Sequence, residues 1–567
     1  MSAFLHSKTK SALLSLVRVS LVSAVLLSGV WFPVASASAA DTSSPHAITG
    51  ILTPVGTIDP LHPPAAQQPA LPAAPAQSLP RGVRPIRSQR LASSNIGEMP
   101  KADSALLDAT QLGKLRQNFN GVSSLDSAVT NFGAEFEPPD QGLCAGNGFV
   151  LEAVNSAFTI YRRTGAVVAG PFNVNVLFGD GLTEFTSDPR CSYDPATHTW
   201  FAIILFINDA GTAARTDIAV STSGDPTMPW TIYHLDATDD GTNGTPSHPG
   251  CPCLGDQPLL GIDQHNLYIS TNEFSIFGPE FNGAQIYAIA KSELVAAAPA
   301  HFVQFDNLTI GGTVAASVQP ALTYQSAAAE YFLSSLDPSG TTDNRIGVWA
   351  ITNRQAVVNG GVPTLSSLVI TSETYGLPPG ALQQGSSSLL DSGDDRMQQV
   401  QFINGELWGA LTTVVTIPHD ATPRAGIAWF RVRPRLNRQQ IGGARLIDQG
   451  YVAARGNYLL YPAIQATPDG AVAMVFTLSG PTIFPSAAYT VLSQDQPAFG
   501  PIKVAAPGTG PYDRRAGRWG DYSAAALDPS GNSLWFATEY IPPLASQTPD
   551  GRRNWGTRVF EVDARDN

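Results

Sequence analysis

Seven positions in this chain of 567 residues carry side chains that could do chemistry together: Asp140, Asp188, Asp256, Gln319, Arg396, Tyr461 and Asp521. Each opens a short β-prone run. The runs are DQGLCAGNGF, DPRCSYDPATHTW, DQPLLGIDQHNLY, QPALTYQSAAAEY, RMQQVQFINGELW, YPAIQATPDGAV and DYSAAALDPSGNSLW, in chain order. Carboxylates accept hydrogen bonds from hydroxyls, Arg donates bidentately to acids and Tyr does either, so such a group suits a polyhydroxylated ligand or a cation such as Ca2+. Two carboxylates facing each other can serve as acid and base, or acid and nucleophile, in glycoside hydrolysis. A Tyr beside an Arg can instead abstract a proton in a polysaccharide lyase, because the guanidinium favours the phenolate. Asp521-Tyr522 near Arg515 and Arg518 is the densest such group. The candidate catalytic residues are therefore Asp188, Asp256, Asp521 and Tyr522. Arg190, Arg396 and Tyr461 are candidates for holding substrate, with Phe277, Trp519 and Trp555 as apolar faces for sugar rings. The same Asp residues can equally cap turns and fasten neighbouring strands.

These positions come together only if the runs they open are equivalent. Each run leads through a turn to a second strand with an apolar anchor: Phe149, Trp200, Tyr268, Tyr331, Trp408, Val472 and Trp535. A repeat of four-stranded units, at a spacing of about 51 to 77 residues, is the signature of a β-propeller. The expectation is an all-β, seven-bladed propeller of four-stranded blades over residues 114–567, with six blades and an irregular sheet as the alternative. Gly556–Asp563 reads as a third strand of the last blade, so its fourth strand is expected from Leu115–Val122 near the other chain end. Turns between first and second strands are tight. Connections such as Asp236–Gly255, Tyr375–Asp395, Ser479–Ser486 and Ala505–Gly520 are long and fall on the opposite face, where binding and catalysis usually sit.

Residues 1–40 read as a signal peptide, with Lys8 and Lys10 before an apolar stretch and a run of small residues, Ala35–Ala40, for cleavage. The expected location is secreted or periplasmic. Residues 41–113 read as a Pro/Ala-rich linker or pro-segment, its densest part His62–Pro80 followed by Arg81, Arg84, Arg87 and Arg90. The chain carries a net charge of −13, and loss of Lys8, Lys10 and Arg18 makes it more acidic. Nucleic acid and anionic membrane are poor partners for such a surface. No later segment is apolar enough for a transmembrane helix.

Four cysteines in an exported chain, Cys144, Cys191, Cys251 and Cys253, allow two disulfides. Cys144 and Cys191 hold comparable places on consecutive inner strands and could meet; Cys251-Pro252-Cys253 would close a tight ring. A metal site from His248, Cys251 and Cys253 is the competing use, and no cofactor is otherwise indicated. No G-x-S-x-G occurs, and the nine histidines are scattered.

The segments SDPRCSYDPATHTWFA, YPAIQATPDGAVAMVFTLSGP and RRAGRWGDYSAAALDP resemble those of large secreted bacterial propeller proteins grouped as sialidase-like. The resemblance spans roughly residues 130–540 and implies the propeller fold. The Arg-Ile-Pro and S-x-D-x-G-x-T-W motifs of sialidases are absent; Thr467–Phe476 and Asp528–Trp535 only echo the second, which argues against sialic acid as substrate. The sequence thus reads as a secreted propeller that binds, and as an enzyme would cleave, an extracellular polysaccharide or glycoconjugate. The alternative is a non-catalytic adhesion or protein-interaction propeller.

Overall fold

A computed structural model describes residues 45–62, 99–108, 115–134, 136–336, 338, 342–493, 496–512, 518–547 and 554–563. The leader, most of the Pro/Ala-rich tract with its four arginines, and Arg515 lie outside the described residues.

Alternating and fully apolar β-prone runs form antiparallel units one after another. The first is Gly142–Gly146, Phe149–Ala153, Ala157–Arg162 and Val167–Asn173. The second is Phe185–Asp194, Thr199–Ile207, Ala214–Ser221 and Trp230–Asp236. Units opening at Cys253, Gln319, Val400 and Tyr458 follow the same order. Thr199–Ile207 is buried along its whole length because it packs between neighbouring sheets. Inner strands also touch across units, Ile262 pairing with Leu322 and Ala321 with Val400 in parallel. This is the all-β propeller architecture expected from the repeats.

The last unit, Ala524–Leu527, Leu534–Tyr540 and Gly556–Val562, takes its fourth strand from Leu115–Ser123, as the spacing anticipates. Glu152 of the first blade clamps this joint. Its carboxylate accepts from Val122 N at 2.9 Å, from Tyr161 at 3.2 Å and from the Thr557 hydroxyl. Burial pushes its pKa up to about 7. Ser123 and Asp126 then form a capping box that starts the helix Ser124–Thr130.

Two findings differ from the sequence reading. His46–Leu52 and Pro54–Ile58, placed in the linker, are strands: the first pairs with Ala300–Asp306 and the second with Trp230–Asp236. Leu107–Asp108 likewise pairs with Ile502–Ala506. Outer strands would otherwise expose unpaired amides and carbonyls, and these segments cover them. The Ser479–Ser486 connection is no long loop, since Val472–Gly480 and Ile483–Leu492 continue as a hairpin to Gly480 and Ile483.

The disulfide Cys144–Cys191 joins inner strands of the first two blades with Cα atoms 5.6 Å apart. By the chain-entropy account, closing so long a loop stabilises the fold by up to about 4 kcal/mol.

A Cβ at Gly121 would lie 2.3 Å from Thr557 Oγ1 and 2.4 Å from Glu152 Oε2, whereas one at Gly510 meets nothing within 4 Å. Gly121→Ala should therefore lower unfolding free energy in urea by about 1–3 kcal/mol. Gly510→Ala should change it by less than about 0.5 kcal/mol. Equal midpoints for the two variants would contradict the seam described here.

Candidate functional site

Two of the rim residues, Asp188 and Tyr461, and the neighbour of a third, Asp256, sit at an irregularity repeated at the start of the inner strands. Asp188, Gln257 and Tyr461 have positive φ of 60°, 50° and 53°. Each precedes a proline, and at each the ladder skips, between Ile203 and Leu205, Asp256 and Leu259, and Leu460 and Ala463. Proline cannot donate to a ladder, so the chain bulges there and turns the preceding side chain toward the axis. The amides of Asp188 and Tyr461, and that of Ser317 at the entry to the fourth unit, are met by the neighbouring blade. Asp188 N donates to Asn155 Oδ1 at 2.7 Å, Ser317 N to Asn272 Oδ1 at 2.8 Å and Tyr461 N to Thr412 Oγ1 at 3.0 Å. Asn155 also donates to Asp140 Oδ2 at 2.8 Å.

Asp140, Asp188, Asp256, Asp521 and Glu539 feel one another's charge, with Arg190, Arg396 and Arg518 among them. Burial is the largest influence on all five acids. It lifts Asp140 well above the carboxylate range, with Asp521 and Asp188 adding to the rise. Asp188 is raised by burial against the pull of Arg190 and Arg518. Burial and then Asp188 bring Asp256 to about 7, while burial opposed by Arg518 leaves Asp521 at about 6. Glu539 is raised by burial and by Asp140. The arrangement can thus hold one carboxyl protonated beside another that is ionised near neutral pH.

Among the described residues, the most exposed members of the cluster are Arg518, Asp521 and Asp391. Arg518 donates to Asp521 Oδ2 at 2.5 Å and lies 4.0 Å from Asp391, and these side chains are 26%, 29% and 42% exposed. Asp188 and Asp256 are under one-tenth exposed. Arg396 is committed to Asp394 through bonds of 2.7 and 2.6 Å and to Gln257. Asp140 Oδ1, the Tyr461 hydroxyl and Arg190 Nε have no hydrogen-bond partner among the described residues. Between the inner strands, a small pocket lined by Gln141, Arg190, Gln319, Gln399 and Ala524 offers about 30 Å³.

Several residues singled out in the sequence play other parts. Arg190 stacks on the Tyr522 ring, 3.2 Å from its centroid, and the Tyr522 hydroxyl donates to Pro189 O at 3.4 Å. Burial holds that phenol well above its usual pKa despite Arg190, the opposite of what a phenolate base needs. Trp519 and Trp555 are fully buried, donating to Thr477 Oγ1 and Phe136 O, and present no face to a ligand. Phe277 is 69% exposed on the loop after Asn266–Ser275. Asp391 and Glu539 escaped the sequence reading. Glu539 lies at the far end of a second strand, Leu534–Tyr540, away from the strand openings that the repeat makes conspicuous.

Cys251 and Cys253 are bridged to each other, so neither thiolate is available to a metal in this state. His248 instead faces Glu273 Oε2 at 2.8 Å and Asp306 at 3.3 Å, with Asp239 at 3.8 Å. These acids outweigh burial and raise its pKa to about 10.

No family of known proteins matches the chain, and no curated protein matches it in sequence. Solved structures that resemble it include an α-L-arabinanase of Penicillium chrysogenum complexed with arabinobiose, at 11% identity, covering 79% of this chain and 99% of that one with a TM-score of 0.32. The Dos1 propeller matches at 10% identity over 81% and 94% of the two chains, TM-score 0.35. The haemagglutinin-neuraminidase ectodomain of parainfluenza virus 5 matches at 9% over 67% and 82%, TM-score 0.33. Likenesses this distant select no activity and add nothing to what the strand pairings establish.

A raised His pKa stabilises the fold below the unfolded value of about 6.5, and that stabilisation is lost as pH rises through the folded value. The melting-temperature gap between the protein and His248→Gln should be wide near pH 6.5 and narrow as pH approaches 10. A gap constant over that range would contradict the charged assignment.

Proposed function

We propose that this chain is a secreted, glycan-active propeller that binds an extracellular polysaccharide at the channel mouth and hydrolyses a glycosidic bond there. The observation that carries the reading is the acid cluster at the mouth, where Arg518 holds Asp521 at 2.5 Å while burial raises Asp521 to about 6 and Asp256, which feels its charge, to about 7. Asp256 is assigned as general acid, and Asp521, ionised and held by Arg518, as base or nucleophile. The cluster titrates as a unit, so the pH–rate profile reports joint values. Export is supported by the leader-like first 40 residues and by two disulfides, which persist in oxidising compartments. Among the described residues no helix is long and apolar enough to cross a membrane.

Asp140 Oδ1 and both Glu539 oxygens are buried without a hydrogen-bond partner among the described residues, and they are the donors a hard cation such as Ca2+ would use if one binds beside the cluster. A lyase mechanism through Tyr522 fits poorly, because its hydroxyl is buried and bonded to Pro189. The second reading is a non-catalytic interaction propeller, favoured by the deep burial of Asp188 and Asp256.

The test is a panel of neutral and acidic polysaccharides with the purified exported chain. Hydrolysis should fall about 10²–10⁴-fold in Asp521→Asn with little change in melting temperature. If the ring is structural, that substitution should instead cost about 1–3 kcal/mol of stability and leave turnover per folded molecule unchanged. Binding without turnover across the panel would favour the interaction reading.

A further inference from the structure

A second cluster lies away from the axis, on the face that carries the long loops. In the second blade Asp217 and His234 are direct cross-strand partners, and Arg215 shares their side of the sheet two residues before Asp217. Asp180 joins them from the loop that follows the short helix Asn175–Phe178. Arg215 stacks on Phe206 and bonds one oxygen of each acid, Asp217 Oδ1 through Nε and Asp180 Oδ1 through a terminal nitrogen, both at 2.6 Å. The other two oxygens, Asp180 Oδ2 and Asp217 Oδ2, have no hydrogen-bond partner among the described residues. Their side chains are 2% and 0% exposed. Two buried carboxylates within reach of one another, each with an unmet oxygen, call for a positive centre between them, a proton or a cation.

We propose that Asp180, Asp217 and His234 bind one divalent transition-metal ion of the zinc class. One ligand atom from each of the three lies within 4.8 Å of the others. The His234 ring is a third exposed, which gives an ion a way in and leaves a coordination position toward solvent. The ring already faces the cluster, with Nε2 3.4 Å from Asp217 Oδ1, and burial and Arg215 keep the imidazole neutral. Arg215 holds the outer oxygens in the manner of the second-layer partners that orient ligating carboxylates. Glu184, bonded to Gly181 N at 2.7 Å, adds its negative field to both acids. Ionised together, Asp180, Asp217 and Glu184 would exceed Arg215 by two negative charges, which a divalent ion would neutralise. An imidazole with two carboxylates suits Zn2+ better than Ca2+ or Mg2+, which take all-oxygen sets. Bound there, the ion would tie the loop leaving the first blade to the two outer strands of the second.

The experiment is titration of Zn2+ into the untagged full chain after chelator treatment, followed by calorimetry and by melting temperature. One equivalent should bind and raise the melting temperature. Affinity should fall more than about tenfold in His234→Ala and in Asp180→Asn, the size of effect that loss of even an outer partner produces. The exposed His62, which pairs with Asp59, serves as control, and His62→Ala should bind as the parent does. His234→Ala should match the metal-free parent in circular dichroism, so loss of binding is not loss of fold. Unchanged Zn2+ affinity in both site variants would overturn the proposal. So would an infrared band of a protonated carboxyl that vanishes in Asp180→Asn yet persists unaltered when Zn2+ is added, since a proton then joins the two acids.

Discussion

The bonds that Glu152 makes to Val122 of the entering strand and Thr557 of the departing one hold together two chain ends more than 400 residues apart in sequence. Each blade alone is an open sheet with one face unsatisfied, and only a closed ring buries every face. Closure also sets the chemistry, because the inner strands reach a common axis only when the first and last blades meet. Gly121 shows how tight the seam is: no side chain fits between the Thr557 hydroxyl and the Glu152 carboxylate. The same closure places Asn155 of the first blade between Asp140 and Asp188.

Around that axis the fold accepts a concentration of like charge that a purely structural ring would avoid. Five carboxylates face three guanidiniums, and much of the arginine capacity is already committed, Arg396 to Asp394 and Arg190 to the Tyr522 ring. Burial resolves part of the excess by raising Asp140 well above the carboxylate range and Asp256 to about 7, the condition for general acid chemistry near neutral pH, while Asp521 at about 6 stays largely ionised. Accessibility then grades the cluster. Asp521 and Arg518 meet solvent, whereas Asp256 and Asp188 are buried.

What the sequence makes legible follows from which forces are local. The bulge prolines, the tight turns and the apolar second strands write themselves into short motifs, so the propeller class and the closing strand Leu115–Ser123 could be read directly. The Cys144–Cys191 bridge followed from equivalent places on consecutive blades. Depth is not local. Trp519 and Trp555 stand beside long connections in sequence, yet both are swallowed by the packing of those connections on the rim. Glu539 reaches the cluster from the end of a strand whose beginning is the conspicuous part. The strands at His46–Leu52 and Pro54–Ile58 were hidden by the Pro/Ala-rich tract that follows them, although ITGIL and PVGTI are β-prone in themselves.

The most direct test of the account is where a bound glycan protects the backbone. Hydrogen–deuterium exchange of the intact chain, with and without a saturating oligosaccharide from a polysaccharide it binds, should show slowed exchange at 389–396 and 518–523, the segments that carry Asp391, Arg396, Arg518 and Asp521. Protection confined to the tight turns of the opposite face, at 195–198, 404–405 and 467–471, would contradict it and move the site to the other end of the channel.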